Sequence, residues 1–201
     1  MTRIKAAMAA AIVLALFPLG ASAQELEIYH AGIGFASPAF EGADDSWSSG
    51  LSGAAGVVYP VNDWIALRGD VGVNFFPLND DYVLEASGAP AGASISGGTT
   101  TAISGLANVR LSAPISVIRP YVFGGLGFVT FDVSDITLEY GGAEDTLPMG
   151  SIDNALAWDV GVGAAMSLGP LMTVFAEGLQ VTTMAGDSYR PIRVGATVQI
   201  N

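Results

Sequence analysis

A chain of 201 residues accommodates a single domain. Its formal charge of −12, from 7 basic and 19 acidic side chains, excludes a nucleic-acid partner, whose phosphates need cations; the absence of cysteine excludes disulfides, thiolate nucleophiles and cysteine metal sites. Only 13% of residues are charged, against ~25% in an average soluble domain, while 51% are hydrophobic.

The first segment reads as a targeting sequence. Arg3 and Lys5 make a basic start, Ala6 to Leu19 an apolar run, and Ala21-Ser22-Ala23 an A-x-A cleavage site. Residues 1–23 are therefore expected to be a signal peptide for the Sec pathway, with the folded domain over 24–201. The run is too short to cross ~30 Å of hydrocarbon as a helix. The expected mature chain carries five arginines (Arg68, Arg110, Arg119, Arg190, Arg193) and all 19 carboxylates. No later apolar run reaches the ~20 residues of a transmembrane helix. A chain that is apolar overall without long apolar runs is what strand alternation produces.

Eight strands are expected, in chain order. Leu26 to Phe35 sets Tyr29, Ala31, Ile33 and Phe35 against His30, Gly32 and Gly34. Ser49 to Tyr59 sets Leu51, Gly53, Ala55, Val57 and Tyr59 against Gly50, Ser52, Ala54, Gly56 and Val58. In Trp64 to Phe76, Ile65, Leu67, Val71, Val73 and Phe75 oppose Arg68, Asp70, Gly72 and Asn74. In Thr99 to Leu111, Ile103, Ala107, Val109 and Leu111 oppose Ser104, Asn108 and Arg110. Arg119 to Phe131 is apolar on both faces, and Tyr121, Phe123, Val129 and Phe131 are assigned outward. In Ala155 to Ser167, Leu156, Trp158, Val160, Val162, Ala164 and Met166 oppose Ala157, Asp159, Gly161, Gly163 and Ser167. Leu171 to Val181 sets Met172, Val174 and Ala176 against Thr173, Phe175 and Glu177. Arg190 to Asn201 sets Ile192, Val194, Ala196, Val198 and Ile200 against Arg193, Gly195, Thr197, Gln199 and Asn201.

The connections alternate in length. Pro60 to Asp63, Ala113 to Ile118 and Leu168 to Pro170 are tight turns; Ala36 to Ser48, Pro77 to Gly98, Asp132 to Asn154 and Thr182 to Tyr189 are longer, polar and glycine-rich. That pattern predicts an all-β, eight-stranded antiparallel transmembrane up-and-down β-barrel, with periplasmic turns and external loops. An eight-stranded barrel encloses little more than its own side chains, so large apolar residues belong outside, against lipid. Tyr29, Tyr59 and Tyr121 at the turn end, and Phe35, Trp47, Phe75 and Phe131 at the loop end, are expected to form the two aromatic girdles.

The inward faces carry charge. Arg68, Asp70 and Arg110 lie on neighbouring strands, and Asp159, Glu177 and Arg193 on three consecutive ones. Unpaired charge in a tight lumen is costly, so three arginines are expected to meet three carboxylates, in two clusters separate in space. A structural role is preferred to an ion gate, because small barrels have filled interiors.

These patterns resemble the small outer-membrane β-barrel superfamily, the OmpA-like and opacity-type barrels. The resemblance is carried by the signal peptide, by Pro60-Val61-Asn62-Asp63 leading into Trp64-Ile65-Ala66-Leu67-Arg68-Gly69-Asp70, by Arg119-Pro120-Tyr121-Val122-Phe123-Gly124-Gly125-Leu126-Gly127, and by Ala157-Trp158-Asp159-Val160-Gly161-Val162-Gly163. It implies residence in the outer membrane, with lipid and the barrel-assembly machinery as partners. Such barrels usually end in an aromatic residue; this chain ends Gln199-Ile200-Asn201. No peptidoglycan-binding domain is expected beyond the barrel.

Catalytic chemistry finds little footing. His30 is the only histidine, and outer-membrane lipid A deacylases, which the architecture resembles, carry a serine two residues from theirs, where this chain has Gly32. Gly124-Gly125-Leu126-Gly127 lacks the strand-to-helix setting of a nucleotide loop. One histidine and no cysteine make a poor metal set. The long loops hold Glu41, Asp44, Asp45, Asp80, Asp81, Glu85, Asp132, Asp135, Glu139, Glu144, Asp145, Asp153 and Asp187, carboxylates that could take divalent cations, without EF-hand spacing. The expectation is a non-enzymatic barrel without cofactor, structural or surface-interactive. The alternatives are a narrow OmpW-like conduit for small or apolar solutes and a lipid-modifying enzyme.

Overall fold

The structure, a computed structural model, describes residues 27–39, 46–90, 92–113, 115 and 117–200. The expected signal peptide, Glu41, Asp44, Asp45 and Asn201 lie outside the described residues. In chain order the elements are β1 (Glu27–Pro38), β2 (Gly50–Pro60), β3 (Ile65–Phe76), α1 (Asp80–Ser87), β4 (Ser94–Gly97), β5 (Thr100–Ser112), β6 (Ile118–Val133), β7 (Ile136–Tyr140), β8 (Ala143–Leu147), β9 (Ser151–Ser167), β10 (Met172–Thr183) and β11 (Ser188–Ile200).

Eight of these strands, β1, β2, β3, β5, β6, β9, β10 and β11, close into a barrel, each antiparallel to its neighbours, with β11 pairing back onto β1. All eight expected strands are present. The register shows the stagger that closure requires. Starting at Ile28, the cross-strand partners run through Val58, Arg68, Asn108, Gly125, Asp159, Val181 and Tyr189, and return to β1 at Pro38, ten residues further along. That offset tilts the strands, by about 40° for eight strands. It also brings residues distant in sequence to one level of the lumen.

Apolar side chains cover the outside: Ile33, Phe35, Leu51, Val160, Val162, Ile192 and Val194 are all more than half exposed. The inward positions of the clean strands are buried as expected, among them His30, Ser52, Arg68, Asp70, Asn74, Ser104 and Asn108.

β6 is the exception. Tyr121, Phe123, Val129 and Phe131 point into the lumen and are almost fully buried, whereas Val122, Leu126 and Phe128 face outward. The expected outward assignment of those four residues is therefore corrected. The reason lies on the next strand. Tyr121 pairs with Gly163 and Phe123 with Gly161, and each ring covers its glycine so closely that a Cβ there would come within 2.4 Å of the ring. Phe175 repeats the arrangement over Gly195. Glycines on β9 and β11 thus make room for aromatics that would otherwise overfill a narrow barrel.

Gly163→Val drives a branched side chain into the Tyr121 ring, and over-packing of this kind costs about 1–3 kcal/mol. Gly178→Ala places a Cβ no closer than 3.9 Å to the Ile192 side chain and is expected to be near neutral. Urea unfolding midpoints of the two variants in lipid vesicles check the difference.

The girdle assignment needs the same correction. Tyr29 and Tyr59 at the turn end, and Phe35 and Phe75 at the loop end, are exposed on the outer wall. Tyr121 and Phe131 are inside the barrel, and Trp47 sits half-buried at the base of the loops, its Nε1 donating to the Gly98 carbonyl at 3.1 Å.

The long connections are more ordered than the sequence pattern suggests. The segment after β3 contains α1, N-capped by Asn79 and ended by Gly88 in the left-handed region at φ 66°. β4, β7 and β8 form a separate three-stranded sheet at the loop end. Its β7–β8 hairpin turns on Gly141 and Gly142, both at positive φ, the conformation that a two-residue hairpin demands. Among the described residues no helix is long and apolar enough to cross a membrane.

Candidate functional site

The polar interior is built around Arg68. From β3 its Nε donates to Asp70 Oδ2 at 2.6 Å, two residues along the same inward face. Its two terminal nitrogens cross the lumen and form a forked pair with Glu177 on β10, at 2.6 and 2.8 Å. The guanidinium also lies 4.9 Å from the Phe123 ring centre. All three charged residues are nearly inaccessible to solvent.

Surrounding groups complete the set. His30 bonds Asp70 through Nε2, and Asn108 Nδ2 donates to Asp70 Oδ2 at 3.4 Å. The Tyr121 hydroxyl donates to Glu177 Oε2 at 2.9 Å. Strands β1, β3, β5, β6 and β10 therefore all contribute to one arginine–carboxylate core. Burying charge is costly unless it is paired and hydrogen-bonded, and the partners of Arg68, Asp70 and Glu177 offset that cost.

The six expected lumen residues are all inside the barrel, but they do not form two separate clusters. Arg68 bonds Glu177 directly, so the expected separation is corrected. In a closed eight-stranded barrel β3 and β10 stand on opposite walls, four strands apart either way round, and their side chains meet at the axis.

Nor do three arginines meet three carboxylates. Among the described residues Arg110 makes no ion pair; it stacks 3.8 Å from the Tyr121 ring centre and donates to Ser112 at 3.1 Å. Arg193 likewise makes no ion pair and donates from Nε to Ser52 Oγ at 2.9 Å, with Ser52 donating on to Asn74 at 2.7 Å. Asp159 is buried, and neither of its oxygens makes a hydrogen bond. The sequence pattern missed Tyr121 because its strand was read with the wrong face inward. It missed His30 as a partner of Asp70 because two inward residues 40 apart carry no local signal.

Above the charges, toward the loop end, Phe76, Val129, Phe131, Val181 and Tyr189 are buried against one another, with Phe76 and Phe131 edge-on to Tyr189. Below them lie Tyr121, Phe123 and Phe175. Buried aromatic side chains thus lie on both sides of the polar core, alongside Asn74 at the loop-end level and Arg110 at the turn-end level.

His30 points into this interior, its Nε2 taken by Asp70 and its ring edge-on to Phe175. A general base needs a reacting group within hydrogen-bond reach, and the group at His30 Nε2 is the Asp70 carboxylate. The loop carboxylates are spread out. Asp80, Asp81 and Glu85 lie on α1, Glu139 faces Glu144 across the β7–β8 ladder, and Asp135 accepts from the Met149 amide at 3.0 Å. Among the described residues no three metal-ligating side chains gather.

Comparison with known proteins agrees with this architecture. The model of the outer membrane protein beta-barrel domain matches residues 9–199. The structure of Neisserial surface protein A superposes with a TM-score of 0.55 at 14% identity, covering 87% of this chain and 97% of that one. A major outer membrane protein from Thermus thermophilus superposes with a TM-score of 0.56 at 15% identity, covering 88% of this chain and 100% of that one. At such identities the likeness concerns the fold. No curated protein matches the sequence.

Proposed function

Given that the chain belongs to the outer membrane protein beta-barrel domain family, we propose that this outer-membrane barrel is non-enzymatic and non-conducting, and acts through structure and through the surface it presents outside the cell. The observation that carries this reading is the filled lumen. Tyr189, Phe76, Val129, Val181 and Asn74 are fully buried near the loop end, and the Arg68–Asp70–Glu177 core fills the middle. A conduit needs a continuous open path, and the buried Phe76, Phe131 and Tyr189 above the charges and Tyr121, Phe123 and Phe175 below them argue against one.

The folded external elements favour a surface role. Short turns face the periplasm and long loops face outward in such barrels, and on this reading α1 and the β4–β7–β8 sheet lie at the cell surface. Every residue of β8 is exposed. Loops on a rigid scaffold are where binding residues concentrate.

The test is electrical. Purified protein in a planar bilayer is expected to give no reproducible single-channel conductance. A stable conductance that disappears in Arg193→Ala would instead establish a narrow conduit. Lipid mass spectrometry of cells with and without the protein is expected to show no modified lipid species; a changed acyl pattern would establish an enzyme.

A further inference from the structure

Near the loop end the apolar outer wall of the barrel carries a polar cluster on β10 and β11. There, Gln180 and Thr182 on β10 and Arg190 on β11 alternate with buried Leu179, Val181, Thr183, Tyr189 and Pro191, and so face outward. Arg190 is exposed. We propose that these three side chains form a binding site for the phosphate of a phosphorylated outer-leaflet lipid.

The geometry is that of a prepared donor set. Arg190 Nε donates to Gln180 Oε1 at 3.4 Å, and Gln180 Nε2 donates to Thr182 Oγ1 at 3.3 Å. The amide thereby holds both neighbours by their inner atoms. Among the described residues the two terminal nitrogens of Arg190 and the Thr182 hydroxyl proton have no acceptor, and they can donate outward. Among the described residues Arg190 forms no ion pair. A guanidinium with neutral donors beside it and no counter-charge suits a tetrahedral oxyanion, which it can engage with two parallel hydrogen bonds.

The level on the wall selects a lipid as the source. Arg190 pairs with Ser37, one step above the Phe35–Ile192 pair, and Thr182 pairs with Trp158. Phe35 and Trp158 are exposed aromatics on the outer wall, the residue type that marks the boundary between acyl chains and headgroups. The Ser37 and Ser49 hydroxyls, 2.7 Å apart, extend the polar rim above Phe35. A charge deeper in hydrocarbon would be costly; at this boundary a lipid phosphate is within reach. Arg68, Arg110 and Arg193 point inward and Arg119 lies at the opposite end, so Arg190 is the one exposed cation at the loop end among the described residues. The external loops, rich in carboxylates, would repel anionic lipid, and this cation offsets them at the point of contact.

The experiment is native mass spectrometry of the folded barrel released from detergent, titrated with diphosphorylated lipid A, with its dephosphorylated form, and with inorganic phosphate. The wild type is expected to retain the phosphorylated lipid at least about tenfold more than the dephosphorylated one, the factor corresponding to one charge-assisted hydrogen bond. Arg190→Gln and Thr182→Val are each expected to weaken that adduct, the former by about tenfold on the same ground. Arg119→Gln is expected to leave it unchanged. Equal retention of both lipids, or no loss in Arg190→Gln, overturns the site. Competition by inorganic phosphate at the same concentration as lipid overturns the lipid as its ligand. A heat-modifiability gel verifies that each variant is folded, and should Arg190→Gln fail to fold, Arg190→Lys and Thr182→Val carry the test.

Discussion

Arg68→Leu is expected to destabilise the folded barrel by about 3–5 kcal/mol, the cost of breaking a buried ion pair by removing one partner. The magnitude follows from the groups left behind. Arg68 supplies all three of its hydrogen bonds to carboxylates, one to Asp70 and two to Glu177. Without it Glu177 keeps only the Tyr121 hydroxyl, and Asp70 only His30 and Asn108. Two carboxylates nearly inaccessible to solvent would then lack their cation, and an unpaired buried charge is far more costly than a missing pair.

The double variant Arg68→Leu with Glu177→Leu removes the pair as a unit and is expected to recover a large part of the loss. The two single effects therefore should not add. Urea titration in lipid vesicles, read by the gel shift between folded and unfolded forms, measures all three variants. A loss below about 1 kcal/mol in Arg68→Leu, the range of an exposed pair, or simple additivity, would show that the network does not hold the lumen together.

Val194→Arg is the second large effect, at about 2–4 kcal/mol near the middle of the apolar band. Val194 is 59% exposed on the outer wall and pairs with Ile33 on one side and Ala176 on the other, both outward-facing and apolar. A guanidinium there meets acyl chains, with no polar neighbour to receive it. Arg190, four residues earlier on the same strand and also outward, sits among Gln180, Thr182 and Ser37 near the headgroups. The same side chain is thus expected to be tolerated at one level and strongly disfavoured at the other. Thr197→Ser, a small change on the inward face, should cost much less. Equal stability of Val194→Arg and Thr197→Ser in vesicles would overturn the facing of β11.

Much of this was legible in the residue order. Alternation along Ile192 to Ile200 and along Leu156 to Met166 depends only on the two-residue period of a strand, so those faces could be read without a partner. The cap of α1 and the Gly141–Gly142 hairpin were equally local, written in Asn79, Asp80 and two adjacent glycines, although the length of the loops obscured them. The inward charges were visible as residue types on particular strands. Their pairing was not, because Arg68 and Glu177 are 109 residues apart and on opposite walls.

β6 marks the limit of local reading. With Tyr121, Phe123, Val129 and Phe131 on one face and Val122, Leu126 and Phe128 on the other, hydrophobicity alone could not say which turned inward. Gly161 and Gly163 decided it, by leaving space on the adjoining strand for two rings.

By itself, the sequence determined the number of barrel strands, the alternation of short and long connections and the apolar outer wall, since each rests on properties of neighbouring residues. Only the closed tertiary structure decided which arginine holds which carboxylate, which aromatics fill the lumen, and that Arg190 joins Gln180 at the headgroup level. Those depend on the ten-residue stagger of the ring, which brings distant side chains to a common height and lets opposite walls touch.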